Sequence, residues 1–155
     1  MTPERARMVE ELRAEMQRGT MYTVLLHHAT AAKAGLNVTD AQCINALVLD
    51  GPQTPGRLAQ LMGITTGGAI TAVIDRLERA GYVRRSPDPE DRRRVIIEAV
   101  PERVAAFGAY FEPVARASRA RMAEVDDDTL RILLDWIQGT NRAMPSVIAE
   151  IREMD

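Results

Sequence analysis

The chain has 155 residues, 46% of them hydrophobic, with a formal net charge of -2 and one cysteine. That length suits one sizeable domain with a real core, and the single Cys43 excludes both an intramolecular disulfide and a cysteine-based zinc cluster within one chain. The near-neutral total argues against a uniformly basic nucleic-acid binder, although where the charges fall matters more than their sum.

The N-terminal stretch MTPERARMVEELRAEMQRG is charged throughout and lacks the apolar centre of a signal peptide. No segment approaches bilayer-spanning length, so a soluble, cytoplasmic protein with no membrane partner is expected. Thr2 and Pro3 form a helix start, with the threonine as cap and the proline at the first helical position. The helix should run to about Lys33, with Met8, Leu12, Met16, Met21, Tyr22, Leu25 and Leu26 as its apolar face. Gly19 predicts a bend or break in it. A second helix is expected after 34–37, capped by Thr39 with Val38 as a staple residue. It runs through Cys43, Ile44, Leu47 and Val48 to the stop Asp50-Gly51-Pro52.

Thr54 and Pro55 open a short third helix over 57–62, which Gly63 ends. Thr65 or Thr66 caps a fourth. Its residues Ile70, Val73, Ile74 and Leu77 repeat at i, i+3, i+4, i+7, the pattern of one buried stripe. Its other face carries Thr66, Thr71, Asp75, Arg76 and Arg79, and Ala80-Gly81 stops it. Two helices joined through a glycine-containing turn fit a helix-turn-helix. Residues 82–85 and 95–100 then read as two strands. The turn-rich tip between them, SPDPEDRRR, ends in Arg92, Arg93 and Arg94, which makes the hairpin a basic wing.

The stretches LAQLMGIT, ITAVIDRLERAGYVRR and DPEDRRRVIIEAV, with VTDAQCINALVLDGPQTPGRLAQLMGI upstream, resemble the winged helix-turn-helix of MarR-type transcriptional regulators. The resemblance implies a mainly α fold with a small β-hairpin wing. It gives one domain, 1–155, with a DNA-reading region over 38–100 and helical dimerisation regions at 1–36 and 101–155. It further implies a homodimer on palindromic double-stranded DNA, probing the major groove with the helix and the minor groove with a wing arginine. On that basis the DNA-contacting set is Thr65, Thr66, Gly67, Gly68, Thr71, Arg76, Arg92, Arg93 and Arg94. Arg93 is assigned to the minor groove, the sequence leaving open which of the three reaches deepest. Asp91 orients a neighbouring arginine by a salt bridge. Many such regulators also take a small aromatic or phenolic ligand. Tyr22, Leu26, His27, Met62, Phe107, Phe111 and Trp136 are candidate lining residues, all of which equally suit a core.

Individual residues qualify this picture. Adjacent Gly67 and Gly68 either allow close approach of the backbone to DNA or mark a frayed or tightly packed first turn. Asp75 and Glu78 are expected to pair with arginines. Cys43, without a flanking basic residue, is expected to be a buried inert thiol. His27 and His28 point to different sides of a helix and have no further histidine or cysteine to complete a metal site. No cofactor is expected. The absence of a Gly-rich phosphate loop, a metal cluster or a Ser-His-Asp spacing argues against an enzyme. A winged-helix protein-interaction module is the rival reading, disfavoured by the three arginines of the wing.

Beyond the wing, Pro101 and Glu102 start another helix, carried by Val104, Phe107, Phe111, Val114, Ala115, Ser118 and Met122 and kinked at Pro113. Asp126-Asp127-Asp128 caps the last helix, whose stripe is Leu130, Leu133, Leu134, Ile137, Met144, Val147, Ile148 and Ile151, with a second kink expected at Pro145. These terminal helices carry more apolar surface than one chain can hide, which also predicts a two-fold dimer.

Overall fold

Each helix of the reading region starts and stops where its capping residues allow. In the structure, a computed structural model that describes residues 1–65, 67–89 and 91–154, α1 spans Pro3–Lys33, with the Thr2 hydroxyl accepting the Arg5 N–H. It is continuous through Gly19, so the expected break does not occur. An isolated exposed glycine costs a helix only about 1 kcal/mol, too little to interrupt thirty-one residues. Helix α2 (Val38–Asp50) starts earlier than Thr39 would allow: its cap is Asn37, whose side chain accepts the Asp40 N–H at 2.8 Å. Asparagine is the stronger cap, and Thr39 falls within the first turn.

Helix α3 (Pro55–Met62) follows, capped by Thr54 Oγ1 on the Arg57 N–H. It ends at Gly63, which takes the left-handed conformation at φ 66° while the Ile64 N–H reaches back to the Ala59 carbonyl at 2.8 Å. Helix α4 (Gly67–Arg79) comes next. Strands β1 (Val83–Pro87) and β2 (Val95–Ala99) pair antiparallel in the register Val83↔Ala99 to Pro87↔Val95. Gln53, between α2 and α3, exchanges two backbone hydrogen bonds with Ile97. The wing is thereby anchored to the loop before the helix-turn-helix. The fold is the expected winged helix-turn-helix.

The region after the wing differs from the single kinked helix expected there. Helix α5 (Pro101–Gly108) is followed by a 3-10 turn, Ala109–Phe111, and then by α6 (Glu112–Met122). Pro113 lies in the first turn of α6, where its missing N–H costs nothing, so it opens a new helix rather than bending an old one. Helix α7 (Asp127–Glu153) begins with Asp126 accepting the Thr129 N–H at 2.7 Å and continues through Pro145 without ending.

The chain forms two compact units, Met1–Phe111 and Glu112–Asp155. The first holds the core: Ile44 and Leu47 of α2, Leu58 of α3, Ile70, Val73, Ile74 and Leu77 of α4, then Tyr82, Val83, Ile97 and Phe107. Phe107 and Phe111 therefore belong with the reading region, and their rings meet edge-to-face at 5.5 Å. Only the C-terminal end of α1 enters this core, through Thr30 and Ala31. Elsewhere α1 leaves Met8, Leu12, Met16, Tyr22 and Leu25 exposed. In the second unit neither α6 nor α7 has a buried residue, and Ile132, Leu134, Trp136, Ile137 and Ile151 all face solvent. No single helix among the described residues is long and apolar enough to cross a membrane.

Leu77 is fully buried and Leu49 is 82% exposed. Leu77→Ala should therefore cost about 2–5 kcal/mol in denaturant unfolding, while Leu49→Ala should stay within about 0.5 kcal/mol of the parent. Equal effects would contradict this account of the core.

Candidate nucleic-acid interface

The exposed side of α4 begins as a surface without charge. Its apolar stripe is buried at 3% or less, which turns Thr65, Gly67, Gly68, Ala69, Thr71 and Ala72 outward. Thr66, named with them from the sequence, lies outside the described residues. The first turn of α4 holds no acidic residue, so the partial positive charge of the helix start is left for an external anion. Thr71 Oγ1 donates to the Gly67 carbonyl at 2.9 Å. Its proton is thus committed, leaving its lone pairs and its methyl group for a base edge. Open space lies over the α-carbons of Gly67 and Gly68, and neither has a positive φ. Neither backbone strain nor packing within the chain requires glycine at these two positions.

The charges begin in the second half of α4 and are tied to other elements. Arg76 forks onto Asp40 of α2, with Nη2 donating to Oδ1 at 2.7 Å and Nε to Oδ2 at 3.2 Å. The hydrogen bond to Asp40 holds the Arg76 pKa above its ordinary value. Asp75 and Glu78 both receive Arg85 of β1, Asp75 Oδ1 from Nη2 at 2.5 Å and Glu78 from Nη1. At the C-terminal end, Arg103 of α5 donates to the Ala80 carbonyl at 3.1 Å and lies over the Tyr82 ring, 4.8 Å from its centroid. Arg84 pairs with Glu98 across the hairpin at 2.7 Å, a bond that lowers the Glu98 pKa, with Ser86 adding to the effect. Four of the basic residues near the interface thus secure the fold.

The wing tip differs. Arg92, Arg93 and Arg94 are exposed, with 93% of the Arg93 side chain in solvent. Asp91 Oδ1 accepts the Arg93 backbone N–H at 3.1 Å and its Nε at 3.3 Å. Backbone bonds from Asp88 N to Arg94 O and from Arg94 N to Asp91 O close the tip around these arginines. An exposed ion pair of this kind contributes little to stability, so what it supplies is orientation.

Sequence reasoning named the exposed start of α4 and the wing tip but missed Asp40 and Arg103. Asp40 is 36 residues from Arg76, and nothing local distinguishes a buried acceptor from an acidic first-turn residue. Among the described residues, no group of three or more His, Cys, Asp or Glu side chains could hold a metal ion. His27 lies against the Phe111 ring, centroids 5.8 Å apart and planes tilted by 59°.

A recognition helix, a wing and a supporting core define a winged-helix DNA-binding protein. A MarR family model matches residues 34–94. The chain is 36% identical over 131 residues to the uncharacterized HTH-type transcriptional regulator YcgE of Bacillus subtilis (strain 168), covering 84% of each. Its fold is similar to that of a MarR family protein from Bacillus stearothermophilus, with a TM-score of 0.68 at 18% identity, over 90% of this chain and 96% of that one. It is also similar to reduced AbfR bound to DNA, with a TM-score of 0.51 at 17% identity, over 93% and 99% of the two chains. The chain belongs to the MarR family of DNA-binding transcriptional regulators and is not an enzyme.

Cys43 is 0% exposed, and burial, reinforced by the charge of Asp40, pushes its thiol up to about 11. At about pH 8 only roughly one thiol in a thousand would then be ionised. A thiol-specific reagent should leave the native protein unlabelled for hours and react fully once it is denatured. Rapid native labelling would refute this.

Proposed function

We propose that this regulator is a cytoplasmic homodimeric repressor that reads a palindromic operator and releases it when a small aromatic or phenolic ligand binds. One observation carries the reading: the helix start is exposed and free of charge, and the wing tip holds three exposed arginines. Two such helices would enter successive major grooves, with wings over the flanking minor grooves. Thr65, Thr66, Gly67, Gly68 and Thr71 would face base edges and phosphates. Arg92, Arg93 and Arg94 would supply the wing contacts, with Arg93, steadied by Asp91, in the minor groove.

Support for the dimer comes from the apolar side chains of α1 and α7 that remain in water. Burying each of them fully would stabilise an assembly by about 1.5–3 kcal/mol. A ligand that favours a dimer with another spacing of its reading heads would weaken DNA binding by shifting the population.

Selection from a random duplex pool should enrich an inverted repeat, and affinity for it should fall steeply with salt. Sedimentation should give twice the monomer mass. No enrichment, with weak and featureless binding, would sink the operator reading and favour a protein-interaction module. Arg93→Ala should weaken binding to all duplexes, on the order of tenfold; unchanged affinity at physiological salt would rule out its wing role. Gly68→Ala gives a separate check on the helix start. With open space over the α-carbon, alanine should raise stability by roughly 0.4–1 kcal/mol yet reduce operator affinity. Stabilisation without a loss of binding would dismiss the close approach.

A further inference from the structure

We propose that Asp40 and Arg76 are a positioning pair that sets the rotation of the recognition helix on DNA, and that Arg76 is not a DNA contact. The inference rests on the reading of α4 as the base-reading helix.

The two residues are unequal partners. The Asp40 side chain is 4% exposed and that of Arg76 is 41% exposed. Asp40 is anchored on α2, its N–H held by Asn37 Oδ1 and its neighbours Ala41, Cys43 and Ile44 all fully buried. A carboxylate in such a place demands a paired cation, since an unpaired buried charge is strongly disfavoured. Arg76 meets the demand with two donors on two oxygens. That geometry is directional as well as strong.

The apolar packing of α4 supplies little of that direction. The stripe Ile70, Val73, Ile74 and Leu77 holds the helix through the hydrophobic effect, which is non-directional, and a smooth apolar stripe allows small rolls about the helix axis. A small roll matters here because it swings every outward side chain sideways, and hydrogen bonds to a base edge weaken steeply with misalignment. The fork to Asp40 fixes that rotation from the α2 side, and Arg85 holds Asp75 and Glu78 from the β1 side. All these ties fall in the second half of the helix, which leaves its uncharged start for DNA.

A phosphate-contact role predicts the opposite behaviour of Asp40. Removing a negative charge near DNA should strengthen binding on electrostatic grounds, whereas loss of a positioning anchor should weaken recognition. The test titrates Asp40→Asn, Arg76→Gln, Arg76→Lys and the double variant Asp40→Asn/Arg76→Gln against the selected operator and a scrambled duplex. Salt concentration is varied, and denaturation midpoints are measured alongside. Expected are a tenfold or greater loss of operator affinity in Asp40→Asn and Arg76→Gln, unchanged affinity for the scrambled duplex and an unchanged salt slope. Arg76→Lys should fail to rescue, because an ammonium cannot fork. The double variant should be no worse than the poorer single one. Operator binding by Asp40→Asn at or above the parent's affinity would overturn the proposal. So would a uniform loss on both duplexes in Arg76→Gln with a salt slope shallower by about one. Should Asp40→Asn not fold, Arg76→Lys decides: retained discrimination overturns the pair, and lost discrimination at an unchanged salt slope supports it. A parent protein that does not distinguish operator from scrambled DNA would overturn the underlying operator reading, a result visible before any variant is compared.

Discussion

The structure depends on the burial of one face of α4. Ile70, Val73, Ile74 and Leu77 are at most 3% exposed, and α2, α3 and the hairpin share the core that receives them. The chain cannot satisfy that stripe without turning the opposite face of the helix to solvent, and the proposed DNA contacts lie on that face. The wing follows from the same core through Val83 and Ile97, both buried. Its tip can therefore be polar and charged while its base remains apolar.

Around this core the arginines divide by task. Arg76, Arg84, Arg85 and Arg103 are bonded to acceptors on other elements or across the hairpin, so their charges serve geometry. The wing-tip arginines are exposed, Arg93 pairing with Asp91 and Arg94 with Asp88 of their own turn. Such exposed pairs exchange readily for phosphate, because they are weak in water and screened by salt. A chain with a net charge of -2 can thus present a local basic edge without a basic total.

The apolar sides of α1 and α7 follow a different logic. They repeat at helical spacing, as the core stripes do, yet remain exposed within the single chain. A regular repeat of large apolar side chains left exposed is the usual signature of an assembly surface. Their exposure supports the proposed dimer.

Much of the fold was legible in the sequence because its signals are local. Thr54-Pro55, Gly63 and Asp126 mark helix ends by chemistry within three residues of the boundary, and the α4 stripe announces its own buried face. Where local signals competed, the boundaries were misjudged. Asn37 outdid Thr39 as a cap, Pro113 proved to start a helix, and Gly19 proved too weak to break one. The proposed contact residues Gly67, Gly68, Thr71 and Arg92 to Arg94 likewise stand out as short motifs. What sequence by itself determined, then, was the set of elements and the outward face of the reading helix, since both follow from periodicity and capping along one stretch of chain. Only the tertiary structure decided which charges are committed, because the partner of Arg76 lies 36 residues away on another helix and its burial is a property of the packed core.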